Sequence, residues 1–206
     1  MEDLLSSGSV AAIGHALATR RISAGELVDG YLRRIERFNQ SGPALNAVRE
    51  IGPDLRGAAR HADEAIASGR NLGPLHGIPV LLKDNILTAD GMAATAGVAA
   101  FKGFIPKREA TLVRRLRNAG AIILGKTNMT ELADYVSDVM PSGFSGAAGF
   151  VKNPHGGEPY GRGLCSSVGS ASAVAARLSP ITTGSDSPNT IQTPVLANGI
   201  AIYGGR

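Results

Sequence analysis

The sequence predicts an α/β domain, with a mixed, largely parallel sheet core flanked by helices and a helical N-terminal segment before it. Two observations support this prediction. From about residue 71 onwards, short apolar runs alternate with helical patterns, which is typical of a parallel sheet. Residues 1–70 show helical periodicity instead. A chain of 206 residues fits one domain. We therefore expect a single domain over 1–206, with the helical segment at 1–70 and the α/β core at 71–206.

Three helices are predicted in the N-terminal segment. The first covers residues 10–20. The second begins at a capping box formed by Ser23 and Glu26, after which apolar residues recur at helical spacing. The third covers residues 54–68 and stops at Gly69, since glycine commonly ends a helix.

The core segment shows the alternation element by element. Each strand is a short apolar run, and each helix has apolar residues on one face. A region rich in Gly, Ser and Pro is predicted as a long loop, which in a compact domain is usually functional or mobile. The predicted elements are a strand at 78–82, a helix at 109–119, a strand at 121–124, a short helix at 128–135, the loop at 137–169, a helix at 170–178 and a strand at 181–184.

Composition excludes several classes of protein. With 43% hydrophobic residues the chain is not a disordered one. The net charge of +4 is dispersed, which favours a solvated surface over a nucleic-acid groove. The one cysteine, Cys165, rules out an internal disulfide. The sequence shows neither a signal peptide nor an apolar stretch of membrane-spanning length. We therefore expect a cytoplasmic protein that binds neither membrane nor nucleic acid.

One motif match is misleading. Residues 120–127 read GAIILGKT and match the phosphate-loop pattern. That loop must follow a strand, whereas here a predicted helix precedes Gly120 and the middle residues favour a strand themselves. We therefore do not predict a nucleotide site. The histidines lack metal-ligand spacing, and we expect neither a metal nor an organic cofactor.

Lys83 and a later hydroxyl-rich segment are the candidates for chemistry. Lys83 ends an apolar strand, where α/β sheets keep their active sites. Burial lowers the pKa of a lysine, and a neutral lysine is a usable general base. Snorkelling of the side chain from a strand end is the structural alternative. Residues 165–194 contain two Ser/Thr-rich turns separated by a small-residue helix and a strand. Small residues allow two turns to approach closely, so hydroxyls from both turns could meet a lysine.

Three segments, in order, resemble the amidase signature family, whose members are amide hydrolases with a Ser–cis-Ser–Lys triad. Residues 73–86, GPLHGIPVLLKDNI, are similar to the family's lysine segment, and residues 119–133, AGAIILGKTNMTELA, to its strand and following turn. Residues 163–194 resemble its Gly/Ser-rich signature. The resemblance implies the amidase signature fold, of which this chain carries the N-terminal part and is incomplete at its C-terminus.

The resemblance also implies roles for individual residues. Lys83 corresponds to the catalytic lysine and Ser166 to the cis-peptide serine that relays the proton. The nucleophile follows that serine by 24 residues in the family, a position occupied here by Thr190. The implied reaction is hydrolysis of a carboxamide C–N bond through an acyl-enzyme. Backbone N–H groups at Ser187, Asn189 and Thr190 would form the oxyanion and substrate-binding loop. A small-molecule amide is the implied substrate.

Departures from the family pattern leave a second interpretation open, namely a catalytically inactive truncated homologue. Threonine replaces the usual serine at 190, and its extra methyl group restricts the side chain. Pro188 and Asn189 replace small residues, and proline lacks an N–H for an oxyanion. Family members are also longer, which predicts self-association through an uncovered sheet edge. Cys165, beside Ser166, is interpreted as a small buried thiol rather than a nucleophile.

Overall fold

A computed structural model describes residues 1–156, 160, 165–187 and 189–204. It confirms a mixed α/β fold with a largely parallel sheet and flanking helices. The helices are α1 (Glu2–Ser7), α2 (Val10–Ala18), α3 (Ala24–Ile35), α4 (Leu55–Ala67), α5 (Thr111–Asn118), α6 (Val168–Ala175) and α7 (Gln192–Ala197). The strands are β1 (Val48–Ile51), β2 (Pro79–Lys83), β3 (Ile122–Thr127), β4 (Phe144–Ser145), β5 (Gly149–Phe150) and β6 (Ile181–Thr182). No helix of the described part has the length and apolar character that a bilayer crossing needs.

The main sheet has the strand order β1-β3-β2-β6. Strand β2 lies parallel to both of its neighbours, β3 and β6. Strand β1 pairs with β3 in the antiparallel direction. The helical segment predicted over residues 1–70 thus also contains β1, a strand of the core sheet that the sequence did not reveal. The strand is difficult to predict because it has only four residues, two of them the charged Arg49 and Glu50. With one buried position, it shows no clear alternation of apolar and polar residues.

The N-terminal helices pack over this sheet, and the apolar faces of α2, α3 and α4 form much of one core cluster. The capping box that opens α3 is confirmed. The Ser23 hydroxyl accepts the Glu26 N–H at 3.0 Å, and the Glu26 carboxylate accepts the Ser23 N–H at 2.9 Å. These two hydrogen bonds satisfy backbone N–H groups that a helix N-terminus otherwise leaves unpaired.

The segment that matches the phosphate-loop pattern forms strand β3, as its apolar residues predicted. All six residues of β3 are buried. A side chain at Gly125 would place its Cβ only 2.2 Å from the Glu50 carbonyl oxygen on β1. This glycine therefore permits close strand pairing and does not open a phosphate-binding loop.

Two predicted boundaries differ from the structure. Residues 128–135 form only a short 3₁₀ turn, Glu131–Asp134, in which Leu132 and Ala133 adopt positive φ values that an α-helix does not allow. The predicted loop at 137–169 contains the β4–β5 hairpin, and α6 begins at Val168. Part of that loop, residues 157–159 and 161–164, lies outside the described residues.

Candidate active site

Lys83 and Ser185 meet where two parallel strands end. Lys83 is the last residue of β2, and β6 pairs with β2 through Leu81 and Thr182. The Thr183 N–H extends this pairing by donating to the Leu81 carbonyl at 2.9 Å. Because carboxyl ends of parallel strands share one sheet edge, the turn after β6 comes to lie beside the lysine.

The Lys83 amine is buried and has few partners. Its residue is 0% exposed. The Nζ donates to the Ser185 Oγ at 2.9 Å and more weakly to the Ser185 carbonyl at 3.4 Å. Burial lowers its pKa to about 8, partly offset by Cys165 and Asp186. Roughly a tenth of the amine is therefore neutral at pH 7 and about half at pH 8, and the neutral form is the one that a general base requires.

The backbone joins the two turns that carry Ser166 and Thr190. The Thr190 carbonyl accepts the N–H groups of Ser166 at 3.1 Å and Ser167 at 2.9 Å. The Thr190 hydroxyl donates to the Ser185 carbonyl at 2.9 Å and accepts the Ser187 N–H at 3.1 Å. The Ser166 Oγ is buried and has no hydrogen-bond partner among the described residues. The three assigned residues thus lie in one region, but hydrogen bonds do not link Lys83, Ser166 and Thr190 in series.

The peptide geometry at Ser166 differs from the one that the resemblance implies. All described peptide bonds are trans, including the bond that joins Cys165 to Ser166. The expectation of a cis bond at Ser166 is therefore not met. The Ser166 N–H donates to the Thr190 carbonyl. The Lys83 amine donates to Ser185 and forms no hydrogen bond with the Ser166 side chain.

Cys165 is a buried thiol, as the sequence predicted. Its residue is 3% exposed, and burial raises the pKa of the thiol to about 12. A thiol rather than a thiolate is present at neutral pH, and the thiolate is the nucleophilic form. Cys165 is therefore a packing residue.

The predicted oxyanion loop is partly described. Ser187 and Asn189 are exposed, and Asn189 has a positive φ of 64°. The Ser187 N–H is already bonded to the Thr190 hydroxyl. Pro188, the residue predicted to remove one oxyanion donor, lies outside the described residues. Asp186 anchors the end of this loop, because its carboxylate accepts the Ile191 N–H at 3.2 Å.

Two glycines allow close packing around the Ser/Thr-rich turns. A Cβ at Gly169 would lie 2.3 Å from the Asn128 carbonyl oxygen and 2.6 Å from that of Ala47. A Cβ at Gly184 would lie 2.4 Å from Ile191 and 2.9 Å from the Ser167 Oγ. Real Cβ atoms do not approach so closely, so a side chain at Gly184 would separate the two turns, and one at Gly169 would push α6 away from the backbone of Asn128 and Ala47.

A buried ion pair holds the residues after Lys83, and sequence analysis missed it. The Asp84 carboxylate accepts Arg49 Nε at 2.8 Å and the N–H groups of Thr95 and Gly97 at 3.2 Å each. It also accepts a short bond from the Thr95 hydroxyl. Arg49 belongs to β1, so detecting this pair from the sequence required recognising that strand. The interaction fixes the turn that directly follows Lys83.

A second buried lysine, Lys126, lies on β3 behind this turn. Its Nζ donates to the Ile86 carbonyl. Burial lowers its pKa to about 8, with Asp84 opposing the shift. Sequence analysis did not single it out, although it also occupies an apolar strand. It offers a matched comparison for Lys83.

The two buried lysines predict that stability increases with pH. Below pH 8 both are charged in the folded and unfolded states. Between pH 8 and the unfolded value of 10.5, the unfolded chain holds more protons. The free energy of unfolding then rises with pH. Cys165, whose pKa is raised from 9.0 to about 12, opposes this rise above pH 9.

Urea unfolding between about pH 7 and pH 9 measures this slope. Lys126→Met should unfold less readily than the unsubstituted chain at the lower pH and show a smaller slope. Lowering the pKa of one lysine from 10.5 to about 8 corresponds to a change of roughly 3 kcal/mol in the free energy of unfolding. Lys107→Met, at an exposed lysine, is the control and should leave the slope unchanged. An unaltered slope in Lys126→Met would contradict the prediction.

The cavity against the N-terminal helices is separate from the candidate site. It has a volume of about 330 Å³ and lies against α2 and α4, and none of the Lys83 or Ser/Thr turn residues lines it. Both ring nitrogens of His76, which lines this cavity, already have backbone partners: Nδ1 accepts the Leu72 N–H and Nε2 contacts the Ala62 carbonyl. No group of three His, Cys, Asp or Glu side chains in the described ranges could hold a metal ion.

The fold and site together define a mixed α/β protein in which two hydroxyl-rich turns surround a buried lysine at a strand end. The sequence profile of the family described as Amidase matches residues 26–202. The chain belongs to this family.

Individual relatives agree with the profile. The chain is 40% identical over 192 residues to a subunit of the glutamyl-tRNA(Gln) amidotransferase of Halorhodospira halophila, covering 93% of this chain and 37% of the relative. It is 38% identical over 189 residues to a probable amidase of Arabidopsis thaliana, covering 90% and 36%. The crystal structure of the native peptide amidase from Stenotrophomonas maltophilia matches with a TM-score of 0.79 and 42% identity, covering 84% and 35%. The chain thus spans little more than a third of the length of these relatives.

Proposed function

We propose that this chain hydrolyses the C–N bond of a small-molecule carboxamide by acyl transfer, with Lys83 as the general base. The observation that carries the proposal is a fully buried lysine whose Nζ lies 2.9 Å from a serine hydroxyl. No acidic side chain forms an ion pair with Lys83 among the described residues. The lowered pKa of about 8 supports this role.

The family resemblance supplies the remaining roles in the proposal. Ser166 relays the proton to Lys83, and the Thr190 hydroxyl attacks the carbonyl carbon. Backbone N–H groups of the loop containing Ser187, Asn189 and Thr190 stabilise the oxyanion. For Thr190 to attack, its hydroxyl must leave the Ser185 carbonyl, and the Ser166 Oγ must turn towards the lysine.

The names of the relatives support a carboxamide substrate. One relative is a probable amidase and another a peptide amidase. Others are named as components of glutamyl-tRNA(Gln) amidotransferase, so a protein partner is also compatible with the proposal.

Ammonia release from simple carboxamides by the purified chain tests the proposal. Lys83→Ala provides the background, and the combined change Pro188→Gly, Asn189→Gly and Thr190→Ser restores the residues usual in the family. Release above the Lys83→Ala background supports the function. Activity in the restored variant alone locates the defect in the 187–190 loop, whereas no release from either protein contradicts the proposal.

A catalytically inactive homologue is the second candidate. One observation favours it: both hydrogen-bonding functions of the Thr190 hydroxyl are used by the backbone of its own loop. In that case the unsubstituted chain should release no more ammonia than Lys83→Ala; release by the restored variant then places the cause in this loop, and no release by either places it elsewhere in the chain.

A further inference from the structure

Asp134 carries a polar atom that has no hydrogen-bond partner and that the proposed triad does not use. The residue is 9% exposed, and its Oδ1 is buried without a partner among the described residues. Its other oxygen, Oδ2, accepts the Ser142 hydroxyl at 3.1 Å. No basic side chain of the described part forms an ion pair with this carboxylate. A buried charge without a partner is unfavourable, so a ligand that supplies a positive charge would satisfy it.

Thr130 connects Asp134 to the turn that carries Ser166. The Thr130 N–H donates to the Ser166 carbonyl at 3.2 Å. The Thr130 hydroxyl accepts the Gly143 N–H at 2.8 Å, and the residue before that glycine, Ser142, is the one that donates to Oδ2. The Asp134 carboxylate and Ser166 are therefore held against the same short segment of the chain, so one ligand could contact both.

The charge of Asp134 acts on the residue that precedes Ser166. Burial is the main cause of the raised pKa of the Cys165 thiol, and the Asp134 carboxylate raises it further while Lys83 lowers it. Interactions between charges weaken with distance, so the thiol lies within reach of both groups. Asp134 is not among the groups that shift the pKa of Lys83, which are Cys165 and Asp186. Asp134 is thus a separate negative charge beside the candidate site and not the counter-ion of the base.

The backbone presents Asp134 on a left-handed turn at the surface. Leu132, Ala133 and Asp134 have φ values of 44°, 61° and 67°, which are unfavourable for residues with a Cβ. The Leu132 N–H holds the turn by donating to the Ala96 carbonyl at 2.9 Å. In the helix that the sequence predicted here, the Asp134 side chain would point in another direction. Tyr135, the next residue, is 93% exposed, so a small movement of this surface turn would open Oδ1 to a ligand.

We propose that Asp134 binds a cationic group of the substrate, an ammonium or a guanidinium, while the scissile carboxamide lies at Ser166 and Thr190. This inference rests on the proposed function and adds the class of substrate, namely an amide with a positive charge apart from the reacting bond. Asp134 accepts hydrogen bonds from that cation through Oδ1 and takes no part in proton transfer. It is a specificity-determining residue.

Binding of three amides to the full chain tests the inference without requiring turnover. The probes are 5-aminopentanamide, 5-hydroxypentanamide and pentanamide, which differ only at the end away from the carboxamide. Calorimetric titration at neutral pH should show the ammonium compound to bind at least about tenfold more tightly than either neutral one, as a charge-assisted hydrogen bond allows. In backbone amide NMR spectra of the unsubstituted chain, this ligand should shift the signals of Asp134 and Ser142, a result that does not depend on a variant folding.

Variants of two carboxylates in the same loop sharpen the test. Asp134→Asn keeps the shape of the side chain and removes its charge, so the preference for the ammonium compound should fall below about threefold. Asp138→Asn removes an exposed carboxylate four residues away and is the matched control, which should keep the full preference. Circular dichroism should show that both variants are folded.

Each outcome decides the inference. Equal affinity for the three amides in the unsubstituted chain overturns it, and so does a preference that persists in Asp134→Asn or is lost equally in Asp138→Asn. If no amide binds but pentanamide releases ammonia, the inference fails and the proposed function stands. A preference for the ammonium compound without ammonia release from any amide supports the inference and separately contradicts the proposed hydrolysis.

Discussion

Replacing Lys83 with methionine should abolish reactivity and leave the fold intact. Lys83 is the general base of the proposed reaction, and such groups contribute about 10²–10⁴-fold to rates. We expect a loss of that size in ammonia release. In the unsubstituted chain, the rate should rise with pH around a midpoint near the lysine pKa of about 8, because only the neutral amine accepts a proton.

The free energy of unfolding of Lys83→Met should not fall with its activity. Methionine fills a similar volume without a charge, and a buried charge destabilises the folded state. Urea unfolding near neutral pH should therefore show Lys83→Met to be at least as stable as the unsubstituted chain. This separates a lost chemical function from a lost fold.

Lys126→Met is the matched control for chemistry. It removes a second buried strand lysine with a similarly lowered pKa, but one that lies outside the Ser/Thr turns. We expect its rate to fall less than about tenfold, since it removes no proton acceptor from the reaction. Equal losses in the two variants would show that the Lys83 effect is structural.

Gly169→Ala should be the most destabilising small substitution in the site region. The added methyl group would lie 2.3 Å from the Asn128 carbonyl oxygen and 2.6 Å from the Ala47 carbonyl oxygen, both backbone atoms. Ala47 directly precedes β1 and Asn128 directly follows β3, and the Asn128 N–H donates to the Ala47 carbonyl, so α6 must shift away from them. Overpacking of this kind costs about 3 kcal/mol. For a chain of this size that corresponds to a melting temperature lower by about 6–12 °C.

Gly14→Ala is the control for this substitution. Gly14 also lies within a helix, α2, but an added Cβ meets nothing within 4 Å. Alanine there should stabilise the chain by about 0.5–1 kcal/mol, because glycine loses more backbone entropy on folding. Thermal unfolding of both variants checks the contrast. A Gly169→Ala protein as stable as the unsubstituted chain would show that α6 can move away from the Asn128 and Ala47 carbonyl groups at little cost.

Most elements could be predicted because their signals are local. The capping box of α3 depends on residues three apart, and the apolar runs of β2 and β3 are continuous. Lys83 could be singled out because it directly follows such a run. The short strand β1 was missed, because its half-buried, charged sequence resembles a loop and only pairing with β3 makes it a strand.

By itself, the sequence determined the α/β class, the order of the main elements, the amidase family and the position of the buried lysine. Each of these follows from neighbouring residues or from motifs of fixed spacing. Only the tertiary structure decided which hydroxyl faces that lysine. Ser185 and Lys83 lie 102 positions apart and meet because β2 and β6 end at the same sheet edge. It also decided that Arg49 pairs with Asp84, since that contact depends on how β1 joins the sheet. Contacts between distant segments depend on strand register and direction, which local patterns do not encode.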